Sequence, residues 1–383
     1  MKNNSLIEVY ISYIFYNISI GLYSFFLPIH LNSLGASMFI ISLLSSIPAL
    51  IIVFGTLLWG MLSYKIQSRK FFIMLGLIAN GFCLIIFIFL STPIEYIITL
   101  SFFSMFICAL QPNFEAFITQ EMEKKGKAGG ILLTSRSMGL SIGALTGGVI
   151  FEIFGMQKNF ILGVLSSILA VLILIKLREK KIQNISNFKF FDITPYRNIL
   201  KDRSIIPVYL TAFMFYFGVL MFASLFSVYF VKIGGSKTLL GITNSVIFII
   251  AIIVSTPAGI LADKIGRKPI LIFGNLCCSL LMAILYFIND PVITAIIWAF
   301  PLHPYISISS IALIADHTTE TNRGVGMGLL LISQSIARVI GPITGGLLAD
   351  LMTLKSVIPV SSLILLATGL FALIFVKERT NLN

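Results

Sequence analysis

The sequence predicts an all-α polytopic membrane protein with twelve transmembrane helices in two six-helix repeats. Three observations lead to this fold class. First, 57% of the 383 residues are hydrophobic and only 11% are charged, whereas soluble domains carry about 25% charged residues. Second, the apolar residues form twelve stretches, and about 20 apolar residues are enough for a helix to cross a bilayer. Third, motifs of the first half return in the second half.

The twelve apolar stretches divide the chain in order. We predict spans at 7–30, 38–62, 71–91, 95–119, 129–151, 158–177, 205–231, 239–262, 270–288, 292–315, 325–349 and 356–376. The predicted domains are an N-terminal six-helix bundle (1–177), a cytoplasmic linker (178–204) and a C-terminal six-helix bundle (205–383). The linker mixes aromatic and basic residues, so it is either a helix on the inner membrane surface or a tethered loop.

Internal repetition supports the division into halves. Leu34-Gly35-Ala36-Ser37 corresponds to Ile233-Gly234-Gly235-Ser236, about 199 residues later. Gly143-Ala144-Leu145-Thr146-Gly147-Gly148 corresponds to Gly341-Pro342-Ile343-Thr344-Gly345-Gly346 in the same register. Two similar membrane halves place a substrate path between them in many secondary transporters.

The basic residues predict the orientation in the membrane. If the N-terminus is cytoplasmic, 21 of the 27 Lys and Arg residues lie in cytoplasmic segments and four lie outside. This distribution follows the positive-inside rule. We therefore expect a multi-pass protein of the cell membrane with both termini in the cytoplasm. The net charge of +12 then reflects contact with anionic lipid headgroups rather than a nucleic-acid partner.

Three motifs resemble those of the major facilitator superfamily. Residues 259–269 read Gly-Ile-Leu-Ala-Asp-Lys-Ile-Gly-Arg-Lys-Pro, between the eighth and ninth spans. Ala312-Leu313-Ile314-Ala315-Asp316 with Arg323-Gly324, and the Gly-Pro-x-x-Gly-Gly motif at 341–346, match as well. The resemblance covers essentially the whole chain, and it implies the two-bundle architecture that is a known property of this superfamily. Some of these features are similar to drug/proton antiporters.

The first half departs from the family pattern at three positions. Tyr64 stands where the family has Asp, Ser68 stands where it has Gly, and Ala144 replaces the Pro of the antiporter motif. These departures weaken the antiporter assignment, but they leave the resemblance to the superfamily intact.

The loop after the eighth span predicts a conformational latch. Gly266 permits a short turn, and Asp263 is placed to accept hydrogen bonds from a facing helix N-terminus. The resemblance places Asp316 on the same cytoplasmic rim as Arg267, so we expect these two side chains to pair. Lys268 completes the basic cluster. The alternative is that the basic loop only orients the protein in the membrane.

Small residues in the fifth and eleventh spans predict close helix packing. Gly143 and Gly147, like Gly341 and Gly345, are four residues apart and share one helix face. The resemblance implies that the second, fifth, eighth and eleventh helices, the eleventh including Pro342, form the interface between halves. Ordinary packing within a bundle is the alternative.

Polar residues inside the spans give the candidate site, because such residues are costly in lipid. The resemblance implies that the first, fourth, seventh and tenth helices line a central cavity. The candidate substrate or cavity residues are Asn17, Gln111, Tyr216, Trp298, His303 and Arg338. Glu115 is the candidate coupling carboxylate, and Arg136 is its expected ion-pair partner.

The sequence argues against an enzyme. The three histidines are predicted at three different membrane depths, so they cannot share one metal ion. The chain lacks the phosphate-binding Gly-x4-Gly-Lys-Ser/Thr loop. We therefore expect no catalytic residues, no metal and no cofactor, with a proton gradient as the energy source.

The predicted function is secondary active transport by rocker-switch alternating access. The favoured interpretation is proton-linked efflux of small amphipathic compounds. The alternatives are uptake of a small, anionic metabolite and, more remotely, a non-transporting membrane sensor. We expect the partners to be a small-molecule substrate and the lipid bilayer, and we expect a monomer.

Overall fold

The computed structural model describes residues 2–66, 68–121, 125–175, 199, 201–300, 302–319 and 322–378. In the first half the α-helices are α1 (Lys2–Ser24), α2 (Leu27–Ser33), α3 (Met38–Ile66), α4 (Arg69–Phe87), α5 (Pro93–Ile107), α6 (Leu110–Glu121), α7 (Lys125–Phe154) and α8 (Met156–Ile175).

The second half has the same order of elements. Its helices are α9 (Ile206–Ala223), α10 (Phe226–Lys232), α11 (Lys237–Ile265), α12 (Arg267–Phe287), α13 (Pro291–Trp298), α14 (His303–His317), α15 (Arg323–Leu351), the 3-10 helix Leu354–Ser356 and α16 (Val357–Phe375). Most of the predicted linker 178–204 lies outside the described residues.

The twelve predicted spans are confirmed. In the described part of the chain, twelve helices or helix pairs are long and apolar enough to cross a membrane, from Leu6–Ser33 to Leu354–Phe375. Their ends lie within a few residues of the predicted ends, apart from the second, where the apolar span Met38–Thr56 is shorter than its helix. Every regular element within the described ranges is helical. The protein is therefore an all-α multi-pass membrane protein, as predicted.

Four spans are each built from two helices. They are the first (α1 and α2), fourth (α5 and α6), seventh (α9 and α10) and tenth (α13 and α14). Pro28, Pro112 and Pro304 lie near the start of the second helix in three of them. Proline has no N–H to donate and its ring clashes with the preceding turn, which favours a break there. The broken spans are the four that the family resemblance assigns to the cavity.

The repeated Gly-Ser motif forms the same turn in both halves. Gly35 and Gly234 have φ angles of +84° and +92°, a region that favours glycine. Ser37 Oγ and Ser236 Oγ each accept the backbone N–H three residues later, at 3.2 and 3.0 Å. The glycine thus ends one span and the serine caps the start of the next.

The chain packs into two compact units. The first contains α1–α8 together with Phe230–Ile249, and the second contains Ile206–Tyr229 with the helices that follow Ile250. In the first unit α1 packs on α7 and α8, and in the second unit α9 packs on α15 and α16. The predicted division into bundles 1–177 and 205–383 follows the covalent chain and stays a prediction.

Buried polar side chains join helices inside the first unit. Asn80 Nδ2 of α4 donates to Ser19 Oγ of α1 at 2.9 Å and to Ser167 Oγ of α8 at 2.8 Å. Asn159 Nδ2 donates to the carbonyl oxygens of Leu22 and Gly147. Such bonds hold membrane helices together because lipid offers no competing partner. They fix α1, α4, α7 and α8 to one another, and α1 and α7 also line the cavity described next.

Candidate functional site

The first unit has an open cavity of about 330 Å³ among α1, α6 and α7. Its polar lining consists of Tyr13, Gln111, Glu115 and Arg136. Gln111 Nε2 donates to Glu115 Oε1 at 3.1 Å, and both side chains are exposed. Ile118, Leu132 and Leu133 contribute apolar walls.

Gln111 and Glu115 share one face of α6, and Arg136 of α7 lines the same cavity. Gln111 lies at the start of α6, directly after the break between α5 and α6, and Glu115 follows one turn later. Residues four apart lie on the same helix face. The structure thus brings three predicted site residues together, Gln111, Glu115 and Arg136. The ion pair expected between Glu115 and Arg136 stays a prediction.

Asn17 is placed differently from its predicted position on the cavity wall. Its side chain is 3% exposed, and Nδ2 donates to the Tyr13 carbonyl at 2.7 Å. A Cβ added at Gly139 of α7 would lie 2.6 Å from Asn17 Cβ. The Asn17 side chain of α1 therefore packs against α7. Tyr13, one turn earlier on α1, reaches the cavity instead.

The second unit brings together three further predicted residues. Tyr216 of α9 and His303 of α14 form a hydrogen bond of 2.9 Å between the phenol oxygen and Nε2. The guanidinium carbon of Arg338, on α15, lies 5.7 Å from the centroid of the Tyr216 ring. Tyr216 is buried, whereas His303 and Arg338 are exposed. We call these residues the Tyr–His–Arg cluster.

Trp298 belongs to an aromatic stack at the other side of the same breaks. Its ring is parallel to that of Phe226, with centroids 3.9 Å apart and an interplanar angle of 8°. Phe222 meets it edge-on at 5.7 Å. Trp298 ends α13 and Phe226 begins α10, so the stack joins two broken spans. Its predicted contact with substrate stays a prediction.

The predicted latch residues form a cluster at the start of α12. Arg267 makes an ion pair with Asp316, the partner expected from the sequence. Asp263 Oδ1 lies 3.8 Å from Arg267 Nη2, and its side chain is 73% exposed, against 14% for Asp316. Lys268 is partly exposed. Asp316 is therefore the main partner of Arg267.

The carboxylate that meets the helix N-terminus here is Glu378, which the sequence analysis missed. Glu378 Oε1 accepts the backbone N–H of Arg267 at 2.5 Å. Gly266, just before α12, has φ +111°, and a Cβ there would lie 3.0 and 3.1 Å from the two Glu378 oxygens. Asp263 lies on the last turn of α11, and its side chain is exposed. Its expected contact with a facing helix N-terminus stays a prediction.

The glycine motifs pack within their own halves. A Cβ at Gly143 would lie 2.9 Å from Gly21 Cα of α1, and one at Gly147 would lie 2.9 Å from the Leu22 oxygen. On α15, Gly341 and Gly345 face α9 in the same manner, with Pro342 buried beside them. Their missing side chains therefore make room for α1 and α9. The interface between halves that the resemblance implied for these glycines stays a prediction.

The neighbouring face of α7 contacts the start of α11 inside the first unit. A Cβ at Gly148 would lie 3.1 Å from Gly241 Cα. The hydroxyl oxygens of Ser141 and Ser245 are 2.6 Å apart. Glu152 Oε2 accepts the backbone N–H of Thr238 at 2.7 Å. This row of contacts fixes residues 237–249 to α7.

Each unit thus has its own group of ionisable and polar side chains inside membrane spans. The first unit holds a carboxylate, a guanidinium and a phenol, and the second unit holds a phenol, an imidazole and a guanidinium. In the described part of the chain, no three His, Cys, Asp or Glu side chains are grouped so as to hold a metal ion.

Comparisons with known proteins agree with this architecture. The family model for the Major Facilitator Superfamily matches residues 9–303 and 208–383. An uncharacterised MFS-type transporter of Methanocaldococcus jannaschii is 24% identical over 381 residues, which cover 94% of this chain and 95% of that protein. The multi-drug resistance efflux pump PmrA of Streptococcus pneumoniae is 29% identical over 144 residues, only 36% of this chain and 35% of the pump.

A solved structure shares the fold. A crystal structure of a mutant of the nucleoside transporter NupG superposes with a TM-score of 0.86, at 12% sequence identity. The match covers 97% of this chain and all of that chain. This likeness shows the arrangement of the helices.

Proposed function

The chain belongs to the major facilitator superfamily, and on that premise we propose that this transporter exports small amphipathic compounds in exchange for protons. It is a multi-pass membrane protein and a transporter rather than an enzyme. Export, the proton and the class of compound are the proposed part. Rocker-switch alternating access is the proposed mechanism.

The observation that carries the proposal is the cavity of the first unit. An acid and a guanidinium, Glu115 and Arg136, line one space together with Tyr13 and Gln111. Ionisable residues within membrane spans mark substrate or proton pathways, since they are costly without such a role. A volume of about 330 Å³ lies in the range of small-molecule sites. The apolar walls suit an amphipathic compound.

Glu115 is the proposed proton carrier. Its carboxylate holds the Gln111 amide by a hydrogen bond, a partner that remains neutral at any pH. Protonation of Glu115 would remove its charge and weaken its attraction to Arg136, while deprotonation would restore that attraction. Glu115 would then be exposed alternately to the two sides of the membrane, and this alternation would couple proton entry to substrate exit. The proton gradient is the proposed energy source, with no cofactor.

The comparisons support export in part. The PmrA relative is named an efflux pump, but it matches over about a third of its length. The alternative, uptake of an anionic metabolite, is favoured by the Tyr–His–Arg cluster, whose cation is Arg338. NupG, named a nucleoside transporter, supports only the fold because its identity is 12%.

We test coupling in proteoliposomes with an imposed pH gradient and a panel of amphipathic fluorescent dyes of either charge. Glu115→Gln should abolish gradient-driven accumulation and keep downhill exchange. Glu95→Gln is the matched control, because Glu95 caps the start of α5 through the backbone N–H groups of Ser91 and Thr92. Undiminished accumulation in Glu115→Gln would refute the carrier role. Absence of any flux in the native protein would favour the sensor alternative.

The proposed location is the cell membrane, with both termini cytoplasmic and a single chain as the working unit. In intact cells, a cysteine at Lys237 should react with an impermeant maleimide, and a cysteine at Lys377 should not. The charge distribution predicts this result. The reverse labelling pattern would overturn the orientation.

A further inference from the structure

Arg338 is a membrane-embedded cation without a carboxylate partner in the described part of the chain. It lies near the middle of the 29-residue helix α15, and its side chain is exposed. Its guanidinium carbon lies 5.7 Å from the centroid of the Tyr216 ring. An arginine at the centre of a span is costly where it faces lipid. The position therefore calls for a water-filled space or a bound counter-ion.

The contact with Tyr216 shows that the Arg338 side chain extends toward α9. Tyr216 belongs to α9, and its hydroxyl is hydrogen-bonded to His303 of α14. Ala337, next to Arg338, is fully buried, and Gly341, one turn later, packs on the Phe217 backbone of α9. Three helices thus converge at the guanidinium. Its mid-helix position also keeps it far from the lipid headgroups at either membrane surface.

The same place offers an apolar aromatic surface. The Phe215 and His303 rings lie 6.2 Å apart, and the Tyr216 and His303 rings lie 5.6 Å apart, edge to face. A guanidinium binds a carboxylate through two parallel hydrogen bonds. Aromatic rings nearby can hold the apolar body of the same molecule. Anion recognition and apolar contact are therefore combined within one cluster.

We propose that the Tyr–His–Arg cluster binds the carboxylate of an amphipathic organic anion, and that this anion is the transported compound. Arg338 supplies the positive charge. The Tyr216 ring contacts the guanidinium through its face, and the Tyr216 hydroxyl positions His303. This inference rests on the proposed function, whose substrate it narrows from amphipathic compounds in general to those with a negative charge.

The test uses three probes of one shape and different charge: 4-phenylbutyrate, 4-phenylbutylamine and 4-phenylbutanol. Each is titrated into the purified full chain near neutral pH, and the rise in melting temperature gives an apparent Kd. We expect the carboxylate to bind about tenfold or more tightly than either of the others, as one charge-assisted hydrogen bond provides. Equal binding of the three probes, or preference for the amine, would overturn the proposal.

Variants assign the preference to Arg338. Arg338→Gln should make the three probes equal. Lys355→Gln is the matched control, because Lys355 also lies over a tyrosine ring of the second unit, Tyr286, at 5.3 Å, and it should keep the preference. Arg338→Lys preserves the charge, so it should keep the carboxylate first even if Arg338→Gln fails to fold. A preference that survives Arg338→Gln, or that is lost in Arg338→Lys or Lys355→Gln, would contradict the assignment.

The binding test needs no gradient, so its failure differs from failure of the proposed function. If the dyes show gradient-driven flux but the purified protein shows no preference for the carboxylate probe, the proton-linked transport stands and the proposed negative charge of the substrate is wrong. If the preference for the carboxylate probe depends on Arg338 but no gradient-driven flux is seen, the anion site stands and the proposed proton coupling is wrong.

Discussion

Replacing Glu378 by glutamine tests the contact between the C-terminal segment and the start of α12. In the native chain, the carboxylate accepts the Arg267 N–H at 2.5 Å and lies beside Gly266. Glutamine retains an oxygen acceptor of similar shape and loses the charge. The change therefore isolates the electrostatic part of the contact.

The size of the effect follows from the two interactions that depend on charge. A hydrogen bond to a charged group contributes about 1.5–3 kcal/mol, against about 1 kcal/mol for a neutral one. A negative charge at a helix N-terminus adds about 0.3–1 kcal/mol. Because Glu378 is partly exposed, we expect Glu378→Gln to weaken the contact by about 1–2 kcal/mol, a factor of roughly 5–30 in the opening equilibrium.

The assay measures the opening of the C-terminal segment directly. Val376 is fully buried, so a cysteine at this position, in a chain without its native cysteines, reacts only when the segment detaches. Its maleimide labelling rate should rise about 5–30-fold in Glu378→Gln. Glu152→Gln, which removes a similar carboxylate from the start of α11, should leave that rate unchanged. An unchanged rate in Glu378→Gln would refute the reasoning.

Two further predictions concern the ion pair and the glycines. Asp316→Asn should destabilise the protein by about 1–3 kcal/mol, because it leaves Arg267 without its less exposed partner. Asp263→Asn should cost about 0.5 kcal/mol or less, as for exposed ion pairs. Equal shifts in melting temperature would contradict the different exposures of the two carboxylates. Gly345→Ala should destabilise the protein by about 1–3 kcal/mol through overpacking. Gly328→Ala lies on the same helix, where a Cβ meets nothing within 4 Å, so it should be neutral or stabilising by up to about 1 kcal/mol. A larger loss of stability in Gly328→Ala than in Gly345→Ala would contradict the packing of α15 on α9.

The spans, and the turns between the first two spans of each half, could be predicted because their signals are local. Apolar length determines a span, and a glycine with positive φ followed by a capping serine determines the turn at Gly35 and at Gly234. The pair between Arg267 and Asp316 was also expected, since the resemblance placed both residues on one rim. Each of these features depends on a motif that can be seen in the sequence.

The positions of Glu378 and Asn17 could not be predicted in the same way. Glu378 is 111 residues from its partner Arg267, and nothing in its own neighbourhood indicates this contact. Asn17 shares a polar stripe with Tyr13, yet Asn17 packs against Gly139 of α7 and Tyr13 lines the cavity. Only tertiary packing decides which of the two polar residues lines the site.

The distance in sequence between Glu378 and Arg267 has a consequence for biosynthesis. At about 5–20 residues per second, the ribosome adds the intervening 111 residues in roughly 6–20 s. During that time α12 and the last three spans leave the ribosome while the first N–H groups of α12 lack their carboxylate. The rim of the second unit is thus completed only after the twelfth span has been synthesised. A chain truncated before Val376 would lack this contact, even with every span inserted.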